Sequence, residues 1–149
     1  MSTIPAVLDR LVTIFGTAAP DARVDDGPVS GLIEVAENGT DLGIIVGWSE
    51  TGAVVEADID LEGGVGDRRE TYRVNCLLAA SSGDSDTKTL RVLVFATYKT
   101  LVDQLKAEHP ISLGVMRAYM DIIDYSAYPT ETGMAASLRF GVFVNAFDR

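Results

Sequence analysis

One stretch narrows the choice of folds more than any other: residues 84–109, DSDTKTLRVLVFATYKTLVDQLKAEH. Leu90, Val94, Tyr98, Leu101 and Leu105 recur every three or four residues, which lines them along one face of a helix. Asp84, Ser85 and Asp86 offer capping oxygens to the exposed N–H groups at its start. Pro110 crowds His109 out of the α region and closes it. A helix with such a stripe must bury it, and strand-like runs flank it at residues 70–80, 115–128 and 134–147. The spacing predicts an α+β fold: one long helix laid across a face of an antiparallel or mixed sheet, in one domain spanning residues 1–149.

An N-terminal helix precedes this unit. Ser2 or Thr3 can cap it, Pro5 suits its first turn, and Ile4, Val7, Leu8, Leu11, Val12 and Phe15 form its stripe, with Gly16 as the expected stop. A short strand is expected at residues 22–25 before the Gly27-Pro28 turn. Residues 32–37 and 42–48 surround Asn38-Gly39, a hairpin signal. The alternation is clearest at residues 53–62. Val55, Ala57, Ile59 and Leu61 point one way, and Glu56, Asp58, Asp60 and Glu62 the other. Four carboxylates on one strand face read either as a solvated outer face, where high dielectric keeps the repulsion weak, or as a surface meant to repel phosphate or meet a basic neighbour.

The loop Gly63-Gly64-Val65-Gly66-Asp67-Arg68-Arg69 invites a phosphate-cradle reading, which fails. It lacks the Lys-Ser/Thr of a P-loop and the third glycine of a dinucleotide fingerprint, and strand follows it, not a helix N-terminus. A mobile loop between strands is expected, with Arg68 and Arg69 at its base exposed to a partner. In the next strand Tyr72, Val74, Cys76 and Leu78 share a face. Later, Met116, Ala118, Met120 and Ile122 lie opposite Arg117, Tyr119, Asp121 and Ile123. Leu138, Phe140, Val142 and Val144 form the apolar face of the last strand.

Charge and residue counts exclude several functions. A net charge of −10 argues against a nucleic-acid grip, which needs a basic stripe to release counterions. The lone Cys76 and lone His109 rule out an internal disulfide and a histidine–cysteine metal cluster, and Asp84-Ser85-Asp86 lacks the rest of a calcium loop. Cys76 on an apolar strand face reads as a buried, inert thiol. No Gly-x-Ser-x-Gly elbow occurs, and no acid pair sits in an aromatic setting that suggests a sugar cleft. The expectation is a protein that is not an enzyme, needs no cofactor, touches no membrane and works in a reducing cytoplasm.

In order and spacing, several segments resemble the tail terminator proteins of long-tailed bacteriophages, in the form found in phages and prophages of actinobacteria. The carriers are Asp26-Gly27-Pro28-Val29, Ile45-Val46-Gly47-Trp48, Asp67-Arg68-Arg69-Glu70, Tyr72-Arg73-Val74-Asn75-Cys76 leading to Ser82-Gly83-Asp84, Arg91 early in the long helix, and Gly133-Met134-Ala135. Two features depart from the pattern. The usual Asp-Pro-Thr-Leu-Gly-type segment reads His109-Pro110-Ile111-Ser112-Leu113-Gly114, and residues 31–41 form a longer, more apolar stretch.

The resemblance implies a virion protein, assembled in the host cytoplasm, that forms a ring, typically of six subunits, on the head-proximal end of the tail tube. The ring stops tube polymerisation, presents a face to the head–tail connector protein, and lets DNA pass through its lumen without specific binding. On that reading Glu56, Asp58, Asp60 and Glu62 line a negative lumen or rim. Gly63, Gly64, Gly66, Asp67, Arg68 and Arg69 form a loop that orders on the tube protein. The alternatives are a head–tail connector of similar shape and, from another class, a small α+β ligand-binding or hydrolase domain.

Overall fold

The computed structural model describes residues 2–27, 40–49, 51–60, 68–83, 86–131 and 133–148. In chain order the elements are α1 (Ile4–Ala18), β1 (Arg23–Asp26), β2 (Thr40–Val46), β3 (Val55–Asp60), β4 (Arg68–Ser82), α2 (Thr87–Ala107), β5 (Val115–Thr130) and β6 (Gly133–Asp148). The strands form one mixed six-stranded sheet in the order β1-β2-β4-β6-β5, with β3 also on β4. Every pairing is antiparallel except β1 with β2. The hairpin signal at Asn38-Gly39 and the expected strand at 32–37 lie outside the described residues.

Both helices lie on one face of the sheet, as the α+β reading requires. Val7, Leu11, Ile14 and Phe15 of α1 and Leu90, Val94, Leu101 and Leu105 of α2 are buried in one core. They meet Tyr72, Val74, Cys76 and Leu78 of β4 and Leu138, Phe140, Val142 and Val144 of β6. Phe140 sits at the centre, edge-on to Phe15 from α1 (5.9 Å) and to Tyr98 from α2 (5.6 Å), the tilted geometry that aromatic quadrupoles favour. Among the described residues the buried cluster on the opposite face is small, Ile45 and Leu77 with Trp48 against them.

The ends of α1 depart from expectation. Gly16 does not stop the helix, which runs on to Ala18. It ends where Pro20 disfavours helical backbone at Ala19, and the Ala19 N–H bonds to the Phe15 carbonyl. Thr3 occupies the N-cap position without capping its own helix, while the Ser2 hydroxyl accepts from the Ile4 N–H at 3.1 Å. Its N–H and hydroxyl instead donate to Glu70 Oε2 on β4, at 3.2 and 2.9 Å, and the Ser2 hydroxyl donates to the same oxygen at 3.1 Å. A fully buried carboxylate 67 residues away in the chain therefore anchors the positive end of α1. Helix α2 behaves as read: Asp86 caps it by accepting from the Thr89 N–H, and it closes at Ala107, before His109.

Strand β4 changes partner along its length. Cys76–Ser82 pair with β2, and Arg69–Val74 pair with β3. Asn75 stands at the handover. Its carbonyl accepts from the N–H groups of Gly47 and Trp48, its N–H donates to the Val54 carbonyl, and its side-chain amide donates to the Ala53 carbonyl. Gly47 turns there at φ +91°, where a Cβ would meet Val54 Cγ1 at 2.6 Å, so only glycine fits. Arg68 and Arg69, expected at the base of a loop, instead open β4 in register with Asp148 and Phe147 of β6. The pull of a 15-residue antiparallel ladder outweighs the loop signal of the glycines before them.

Candidate functional site

The two longest strands form a hairpin with unequal surroundings. β6 lies between β4 and β5, with both edges paired, whereas β5 forms the outer edge of the sheet. Two register shifts, at Val115/Arg117 and Ile122/Asp124, interrupt its pairing with β6 and divide it into two regular segments, 117–122 and 124–130. Its outward backbone groups have no strand partner among the described residues, which makes β5 a template for another chain.

Exposed apolar side chains collect along this edge. Met116, Tyr119, Ile122, Ile123 and Tyr128 of β5 are exposed, Met116 and Tyr119 by nearly half (45% and 47%). Leu113, in the turn that enters β5, is almost fully exposed. Val92 and Phe95 on α2 complete the set. Phe95 packs against Tyr125 of β5 with ring centroids 5.2 Å apart, which makes the helix and the edge strand one continuous flank. Among the described residues, every exposed large hydrophobic side chain lies on β5, on the turn before it or on α2. Scattered apolar residues on a surface need no explanation, but a set confined to one flank does.

The acidic strand meets this flank through a single row across the open face. The register sets Glu56, Arg73, Phe143 and Tyr119 side by side on β3, β4, β6 and β5. Arg73 forms an ion pair with Glu56, donates through Nε to Asn75 Oδ1 at 2.9 Å, and lies over the Phe143 ring. Phe143 stacks on Tyr119 at 5.1 Å, and Arg117 lies over Tyr119 at 5.1 Å. Gly141 makes room for this row, since a Cβ there would meet Arg73 Cδ at 2.6 Å.

The residues singled out from the sequence are thus only partly gathered. Glu56 is exposed, and its charge is offset by Arg73. The register places Asp58 opposite Thr71 and Asp60 opposite Arg69. Arg69 is half-buried, and its Nε donates to Asn145 Oδ1 at 3.3 Å, so it is not the free cation expected at a loop base. Glu62, Gly63, Gly64, Gly66 and Asp67 lie outside the described residues. The β5 flank was missed. Its signal was present in Met116, Tyr119, Ile122 and Ile123, but nothing local shows that β5 is an edge strand.

Other candidates for chemistry are weaker. A shallow recess of about 160 Å³ opens beside Trp48 and Ile123, but its charged groups bond within the protein, Arg73 to Glu56 and Arg139 to Asp124. Cys76 is buried, and burial pushes its thiol up to about 12, with a backbone hydrogen bond from Gly47 countering in part. Burial likewise raises the Tyr72 phenol to about 12; the Thr3 hydrogen bond opposes the shift and the Glu70 charge adds to it. Among the described residues no group of three or more His, Cys, Asp or Glu could hold a metal ion, and no helix is long and apolar enough to cross a membrane. Comparison with protein-family models and with curated proteins gives no match to this chain.

Proposed function

We propose that this protein is a structural assembly subunit, the tail terminator of a long-tailed bacteriophage, which caps the head-proximal end of the tail tube as a ring and receives the head–tail connector. The observation that carries the assembly role is the confinement of exposed apolar side chains to the β5–α2 flank, beside an open strand edge. A surface of that composition is a docking surface for protein, not a substrate cleft. The terminator identity rests on the order of segments that resemble the family. The α+β fold, with α2 across the sheet, agrees with it.

In such a ring each contact is head-to-tail, with two different patches on every subunit. The flank supplies one. The acidic face of β3 turns toward the lumen in this reading, with a field weakened at Glu56 by Arg73. Native mass spectrometry at rising concentration, alone and with the cognate tail tube protein, tests the proposal. A discrete ring-sized oligomer, alone or only with tube protein, is expected. Indifference to tube protein together with binding to the connector ring would make the protein a connector. Indifference to both would overturn the phage reading.

A further inference from the structure

We propose that in the free protein the β5 edge is covered by a second copy of this chain, paired antiparallel through β5 about a two-fold axis at Tyr119. The inference rests on the reading of the flank as a docking surface and names its first occupant.

Charge singles out this edge for self-contact. The protein carries a net charge of −10, so most faces of two copies repel one another. The segment 115–123, VMRAYMDII, holds one arginine and one aspartate and is locally neutral. Self-contact is least opposed there.

Register follows from the same two charges. In an antiparallel pair about a two-fold axis normal to the sheet, directly opposed residues share a face, so each register is centred on one residue that meets its own copy. Centring on Tyr119 sets Arg117 against Asp121 of the second copy and, by symmetry, Asp121 against Arg117. Centring on Arg117 or Asp121 sets like charges together. Centring on Ala118, Met120 or Ile122 leaves both charges opposite neutral residues. Tyr119 is thus the one centre between the two register shifts that satisfies both charges.

The same register sets Ala118 level with Met120 of the second copy, and brings exposed Ile122 to the end of the joint nearest exposed Met116 of that copy. Opposite charges and apolar side chains therefore agree on one alignment. The axis keeps both helical layers on the same side of the joined sheet, where Phe95, packed against Tyr125 at the edge, extends the apolar contact. A two-fold contact closes at two copies, whereas a ring contact is head-to-tail. The dimer is therefore a form that must open before β5 can serve a ring.

Sedimentation velocity at rising concentration tests the pairing with three variants. R117D or D121R alone opposes like charges at both ends of the joint and is expected to weaken self-association by about tenfold or more. The double variant R117D/D121R restores the opposed pairs and is expected to recover dimerisation, which a loss of folding would not do. Circular dichroism melts report folding separately. The third variant, Tyr119→Cys, adds the only thiol outside the core, since Cys76 is buried. Opposed Cα atoms about 4.5–5.5 Å apart lie within disulfide reach, so mild oxidation is expected to give a covalent dimer.

A wild-type protein that stays monomeric at every concentration overturns the pairing. So does a double variant as weak as the single ones, or failure of Tyr119→Cys to cross-link. The two readings fail separately. A monomer that binds tail tube protein overturns the pairing and leaves the terminator standing. A cross-linkable dimer that ignores tube protein supports the pairing while the terminator reading falls.

Discussion

Strands β5 and β6 are each 16 residues long, lie side by side in one hairpin, and draw on similar apolar residues, yet the molecule treats them oppositely. Leu138, Phe140, Val142, Val144 and Ala146 of β6 are buried beneath two helices. On β5, Ala118 and Met120 are half-covered, while Met116, Tyr119, Ile122 and Ile123 stand exposed. Ile122 and Phe140 are direct cross-strand partners, one on the surface and one at the centre of the core. Position in the sheet, not composition, separates them. A central strand finds its cover inside the chain, and an edge strand with the same residues has to find it elsewhere.

The largest expected effect breaks the comparison at its buried end. Phe140→Ala removes the ring that both helices touch and should cost about 3–5 kcal/mol in urea unfolding. Alkaline pH attacks the same covered face. Because burial raises Cys76 from its ordinary 9.0 and Tyr72 from 10.0, each to about 12, the folded state holds those protons more tightly than the unfolded chain. Their contribution to stability is complete below about pH 9 and is lost as pH rises toward 12. Denaturation midpoints measured across that window should fall steadily, where a pH-independent core would hold them level.

Glu70→Ala strips the anchor from Ser2 and Thr3 and should cost about 2 kcal/mol, with Glu70→Gln losing less because it keeps an acceptor. Hydrogen exchange at the start of α1 would report the loss locally. At the exposed end, Ile122→Ala should change monomer stability by no more than about 0.5 kcal/mol while weakening self-association. A large loss of stability there would mean that the two strands are less different than their burial indicates.

Much of this architecture was legible in the sequence, because it is carried by local periodicity. The stripe Leu90, Val94, Leu101 and Leu105 marked α2 and its buried face, and the alternation Tyr72, Val74, Cys76, Leu78 marked the covered face of β4. Three features were not legible, for one shared reason. The Glu70 anchor at Thr3 spans 67 residues, the handover at Asn75 joins three strands, and the parallel β1–β2 pair is set by tertiary placement. None leaves a local pattern. Gly16 shows the converse: a stop signal with no helix-ending geometry behind it, passed over by a helix that runs to Ala18 and ends before Pro20.

Site residues divide along the same line. The alternation over residues 55–60 marked β3 as a strand, but the pattern could not show that the ladder sets Glu56 opposite Arg73 and Asp60 opposite Arg69. The exposed β5 residues were read as one more strand, since edge status depends on strand order and strand order is a long-range property.

On this proposal β5 is finished by another chain and β6 by its own. Hydrogen–deuterium exchange over 115–123 and 136–146 tests it most directly, with the protein dilute, concentrated, and mixed with tail tube protein. β6 amides are expected to stay protected throughout, whereas the outward amides of β5 exchange freely in dilute protein and gain protection on association. Equal protection of β5 in all three conditions, or protection gained only on some other surface, would contradict it.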